Sequence, residues 1–157
     1  MVSCPGFAFP ILAFCSLTLL AAAHSEEKRI TRSQLPAAVR KTADAQAQGA
    51  IVRGYTTEVE KGRREYEVEI TVNGHSRDVT IAPDGRLIEI EEQVAPDALP
   101  SSVLYSLRNK AGQGEITRVE SISQNGAIVA YEAKVHAAGK RFEIQVGPNG
   151  ETLKHER

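Results

Sequence analysis

Three carboxylates on alternate residues, Glu65, Glu67 and Glu69, are the most conspicuous chemical feature of the sequence. In an extended chain successive side chains point to opposite faces, so these three share one face while Tyr66, Val68, Ile70 and Val72 take the other. Asp78, Glu89 and Glu91 fall on the strands expected beside them. Such a face suits a basic partner, or it offers oxygen ligands to Ca²⁺, which takes about six to eight of them. A flat sheet face rarely wraps a cation, so no metal site is assigned. The blander reading is a solvated face neutralised by Arg63, Arg64 and Arg77. The matching face of the second half is mixed: Glu132, Lys134, His136, Arg141, Glu143 and Lys154. The candidate binding residues are therefore Glu65, Glu67, Glu69, Asp78, Glu89, Lys134, Arg141 and Glu143.

Much other chemistry is missing. His24, His75, His136 and His155 make no convergent set, since His136 and His155 have opposite strand parity, and zinc wants three or four ligands from one direction. Cys4 and Cys15 both lie in the apolar N-terminal segment, which leaves the remainder without a thiol for redox, nucleophilic or zinc chemistry. No G-x-S-x-G, H-E-x-x-H or P-loop pattern occurs. No catalytic residue and no cofactor is assigned, and the chain reads as a non-enzyme. With 19 basic against 20 acidic residues there is no excess charge to draw it onto nucleic acid.

Residues 1–23 contain no Asp, Glu, Lys or Arg, run apolar from Phe7, and end in Ala21-Ala22-Ala23. They read as a signal peptide cut after Ala23, too short and too interrupted by Pro10 for a comfortable membrane span. The expected product is periplasmic or secreted, monomeric, and without membrane contact once the leader is removed.

The rest is an internal duplication. Leu35-Pro36-Ala37-Ala38-Val39 recurs as Leu99-Pro100-Ser101-Ser102-Val103, and Gly62 recurs as Gly126, at an offset of 64. At an offset of 65, Tyr66-Glu67 recurs as Tyr131-Glu132, Gly74 as Gly139, Pro83-Asp84-Gly85 as Pro148-Asn149-Gly150, and Glu91 as Glu156. In each copy a Leu-Pro pair opens a helix, Pro being pre-set for its first position. The apolar stripes are Leu35, Val39 and Ala43, then Leu99, Val103, Leu104, Leu107 and Ala111. Gly49 and Gly112 end them. Four short strands are expected after each helix, divided by Lys61-Gly62, Asn73-Gly74 and Pro83-Asp84-Gly85 and their counterparts. Val79, Ile81, Ile88 and Ile90 should face inward, as should Tyr131, Ala133, Val135, Phe142, Ile144 and Val146. The fold class is α+β: two tandem α-β-β-β-β units, 24–94 and 95–157, each an antiparallel meander with its helix across one face. Units this small should lean on one another, most simply by pairing edge to edge across residues 93–98.

Leu-Pro-x-x-Val, the Tyr-Glu-Val-Glu-Ile strand at 66–70, Asn73-Gly74 and the turn at 82–85 together resemble the PepSY-like family, over nearly all of 35–156. That family is similar in fold to the bacterial β-lactamase inhibitor protein. The resemblance implies a non-catalytic periplasmic or extracellular module, inhibitor-like, that presents its open sheet face to a protein or peptide of the cell envelope or restrains a peptidase. The alternative is an ion or small-ligand sensor or carrier using the acidic face of the first repeat. The second copy reads Tyr131-Glu132-Ala133-Lys134-Val135 and lacks the acidic row, so the two halves offer different surfaces.

Overall fold

The computed structural model describes residues 27–153, and the leader with its cleavage point lies outside the described residues. Among the described residues one antiparallel sheet of eight strands runs in strict sequence order. The strands are β1 (Lys28–Ile30), β2 (Ile51–Glu60), β3 (Arg63–Val72), β4 (His75–Ile81), β5 (Leu87–Gln93), β6 (Glu115–Gln124), β7 (Ala127–Ala137) and β8 (Lys140–Val146). Helix α1 (Ala37–Gln46) lies between β1 and β2, and α2 (Ser101–Ala111) between β5 and β6.

Tight turns set this order. Lys61-Gly62, Asn73-Gly74, Asn125-Gly126 and Ala138-Gly139 each place two successive residues at positive φ, as a two-residue hairpin matched to strand twist requires. Each helix begins just after its proline, which is extended (ψ 148° at Pro36, 138° at Pro100) and so precedes the first helical residue instead of occupying it. Both helices lie on one face of the sheet, over two separate cores. The first joins Leu35, Val39 and Ala43 to Val68, Ile70, Val79 and Ile81. The second joins Leu99, Val103, Leu107 and Ala111 to Val119, Tyr131, Ala133, Val135 and Val146.

Two expectations need correction, and a third is met only in part among the described residues. Ile88 does not face the core. The β4–β5 register shifts between Thr80 and Ile81, so Leu87 takes the inward place and Ile88 lines the opposite face. Phe142 has inward parity but is 41% exposed, on β8 at the edge of the described sheet. The third concerns the repeat. Four strands, β2–β5, follow α1 as expected, and the unforeseen β1 precedes it; the fourth strand expected after α2 would fall at 151–157, of which 154–157 lie outside the described residues.

The registers explain this last point. β1 pairs with β2 as Lys28↔Thr57 and Arg29↔Thr56, and β5 pairs with β6 as Glu92↔Ser121 and Gln93↔Glu120. The second set is the first moved by the repeat offset of 64. In pairing, β5 therefore stands to α2 and β6 as β1 stands to α1 and β2. The sheet reads as β-α-β-β-β twice, joined edge to edge where β4 meets β5.

Candidate functional site

The face away from the helices is built by the other parity of every strand. Cross-strand register brings Glu69 opposite Asp78, Asp78 opposite Glu91, Glu67 opposite Thr80, and Thr80 opposite Glu89. The acidic residues singled out in the first repeat thus form one continuous patch. Glu65 belongs to the same strand face but is only 7% exposed. The neutralising arginines are mostly elsewhere. Arg77 is on the helix side, where it pairs with Glu92 at 2.6 Å, and Arg64 donates to Thr57, also on the helix side. Of these carboxylates only Glu69 has a close cation among the described residues, Arg29 at 3.0 Å, in a two-pronged contact.

Burial makes this patch electrostatically tense. The Glu67 carboxyl is pushed up to about 7, chiefly by desolvation and then by the charge of Asp78. Glu91 is pushed up to about 8 by desolvation and then by Glu132. Its cross-strand partner on β6 is Ile122, a buried apolar side chain on this largely polar face. Asp78, Glu132 and Glu65 are raised too, each first by desolvation.

Sequence reading missed the centre of the site. Carboxylate oxygens of Glu91, Glu120 and Glu132, on β5, β6 and β7, lie within 4.8 Å of one another at the junction of the two halves. The Glu120 side chain is 2% exposed, with Lys134 Nζ 3.2 Å from Oε2 and Arg118 Nη1 3.3 Å from Oε1. Gln145 donates to Glu132 at 2.7 Å. Burial opposes the Lys134 charge, but Glu120 outweighs it and holds the ammonium above its ordinary range. Lys134 is the tethered counter-cation of the triad. The signal was in the sequence: Glu120 alternates with Val119 as Glu67 does with Val68.

Of the remaining candidates, Lys134 pairs with Glu143 at 3.7 Å, while Arg141 sits at the β7–β8 turn end opposite His136, apart from the acidic patch. Open depressions lie on this face. One of about 720 Å³ is lined by Glu65, Glu67, Glu89 and Glu91, and one of about 620 Å³ by Arg118, Lys134, His136 and Arg141. Neither is a closed cleft that would hold reacting groups away from water.

No family model matches the chain, and no curated protein does. Solved structures do. A protein of Bacteroides eggerthii named as periplasmic is similar at 18% identity and a TM-score of 0.61, over 76% of this chain and 86% of that one. A DUF2874 family protein of Bacteroides ovatus is similar at 18% identity and a TM-score of 0.58, over 76% and 84%. A BLIP-like protein of Bacteroides fragilis follows at 16% identity and a TM-score of 0.54, over 74% and 82%. The fold is the one these proteins share. Among the described residues no helix is long and apolar enough to cross a membrane.

Proposed function

We propose that this is a non-catalytic binding module of the cell envelope, exported by its leader, which takes a basic segment of a protein or peptide onto its open sheet face. The observation that carries the reading is the acidic patch itself. Glu67 and Glu91 are desolvated beside like charges, a costly arrangement that a cationic partner would relieve. The periplasmic name of one structural neighbour and the BLIP-like name of another support the compartment and the non-catalytic class.

The test sets binding against stability. Replacing Glu67, Glu89 and Glu91 together by Gln removes repulsion, so the melting midpoint should rise. Affinity for a lysine-rich peptide, read by calorimetry, should fall at least roughly tenfold, since several charge-assisted contacts are lost together. Unchanged affinity in a well-folded variant would sink the proposal.

The triad at the junction favours a second reading, a divalent cation held by Glu91, Glu120 and Glu132 in place of the Lys134 ammonium. Oε2 of Glu120 is buried, and its polar contact is the Lys134 ammonium at 3.2 Å, poorly aligned for a hydrogen bond. Calcium that raises the melting midpoint in the parent protein but not in Glu132→Gln would support it, because a ligand confined to the native form stabilises that form.

A further inference from the structure

One carboxylate of the acidic face is buried without a partner. Glu65 is 7% exposed, yet neither a hydrogen bond nor an ion pair engages its side chain among the described residues. Arg63 eases its charge, but desolvation and the charges of Glu60, Glu58 and Glu89 outweigh that help. The fold does not ask for a carboxylate here. At the repeat offsets of 64 and 65, the cross-strand pair Glu58↔Glu65 of the first copy becomes Ile122↔Ala130 in the second. Ala130 is buried as deeply, at 4% exposed, so the same position serves the fold with a methyl group. The first copy instead holds two like charges directly opposite each other, a destabilising arrangement in a sheet. Both line the depression of about 720 Å³, where seven carboxylates meet only Lys61 and Arg63. With Glu67 and Glu91 both protonated, five carboxylates still face those two cations. Arg29, on the same face, is held by Glu69. The register shift that turns Ile88 outward adds one half-buried apolar side chain to the lining.

We propose that this depression holds a linear aliphatic polyamine, a chain of ammonium groups joined by three- or four-carbon spacers. A single metal ion does not gather these carboxylates. Calcium wants its oxygens at about 2.4 Å, and the set of three that approach within 4.8 Å of one another is Glu91, Glu120 and Glu132, at the junction of the halves. Strand geometry spaces the Glu65 position about 7 Å from Glu67 along β3 and about 5 Å from Glu58 across to β2. Four or five bonds of about 1.5 Å in an extended zigzag set the charges of a polyamine about 5–6 Å apart, the same scale. Its methylenes have Ile88 to lie on. A peptide brings a carbonyl acceptor for every residue into a place already lined by acceptors, whereas an alkyl amine brings donors alone. The inference goes beyond the proposed function, which lays a basic segment on the wider patch. The two share a face and can fail separately.

Calorimetric titration of the protein with spermidine, a triamine, and putrescine, a diamine, tests it. Spermidine should bind the parent about tenfold more tightly than putrescine, the worth of one further charge-assisted contact. Glu65→Ala installs the residue that the second copy carries, so it should melt no lower than the parent, while its affinity for spermidine falls at least roughly tenfold. Glu65→Gln keeps the shape of the side chain and should lose as much. Glu115→Gln removes the same charge at the other end of β6 and should leave the affinity within about twofold. Equal spermidine affinity in the parent and both Glu65 variants overturns the inference and makes the amine a diffuse counter-ion. A lysine-rich peptide titrated alongside separates the two readings. Peptide bound without spermidine leaves the proposed function and removes the polyamine site. Spermidine bound through Glu65 without peptide does the reverse, and binding of neither removes both.

Discussion

With its ammonium 3.2 Å from Glu120 and 3.7 Å from Glu143, Lys134 is the cation nearest three carboxylates at the junction of the halves. Replacing it by Met leaves a buried carboxylate with Arg118 alone. At pH 8 Lys134→Met should destabilise the fold by about 2–4 kcal/mol, somewhat under the ~3–5 kcal/mol for breaking a fully buried pair, because the Lys134 side chain is 33% exposed. At pH 5 the loss should be smaller, because Glu91 and Glu132, both raised, are then protonated and make up for the missing charge. Denaturant melts at the two pH values check this; a loss independent of pH would mean that Lys134 acts by packing. The sequence could not rank Glu120 at this scale. An isolated Glu between Val119 and Ser121 looks like one more solvated carboxylate until the β5–β6 and β6–β7 registers place Gln93 and Glu132 on either side of it. Strand parity alone says which way a side chain points. It does not say how deeply neighbouring strands bury it, and that depth is what raises Glu67 and Glu91.

Strand ends and turns were far more legible, because their chemistry is local. The Asn-Gly and Lys-Gly hairpins, both helix stripes and the two Pro-x-Gly turns follow from residue type alone. Gly85 and Gly150 show why the last motif repeats. Both have positive φ, 86° and 85°, and a Cβ would meet the carbonyl oxygen of Ala38 at 2.8 Å or of Ser102 at 2.6 Å. Each turn is pressed against the first turn of its helix, and Thr42 donates to the Gly85 carbonyl at 2.7 Å. Gly85→Ala and Gly150→Ala should each cost about 2–3 kcal/mol, from left-handed strain together with displacement of the helix. Gly74→Ala, with nothing within 4 Å, should cost only about 1 kcal/mol. Comparable losses at all three in thermal melts would show that the turns do not seat the helices. The division into units was harder to read. Glu91 aligns with Glu156 as well as β5 aligns with β1, and only hydrogen-bond register distinguishes a strand that ends one unit from a strand that begins the next.

Across the whole molecule the core lies on one side of the sheet and the ionisable tension on the other, which ties stability to pH. Glu65, Glu67, Asp78, Glu91 and Glu132 all have raised pKa values in the folded state. Folded protein therefore holds protons that the unfolded chain has released above about pH 4.3. Stability from these groups is full below that value and is lost as pH rises through their folded values, about 7 for Glu67 and about 8 for Glu91. The melting midpoint should be lower at pH 9 than at pH 6 by on the order of 10 °C, a few kcal/mol for a domain of this size. Scanning calorimetry across that range checks it, and the Glu67, Glu89 and Glu91 triple Gln variant should flatten the slope; a flat slope in the parent would mean that the carboxyls are more hydrated than their burial indicates. The placement of β5 has a different kind of consequence. Each unit enters the sheet through its first strand and offers its last as the next edge, so the two are related by a step along the sheet rather than by a twofold axis. A translation of this kind does not close on itself. The same sequence module can be copied again beyond β8 without inventing a new junction, and a ligand lying across the strands would meet each added unit in the same orientation, as a ruler meets its divisions.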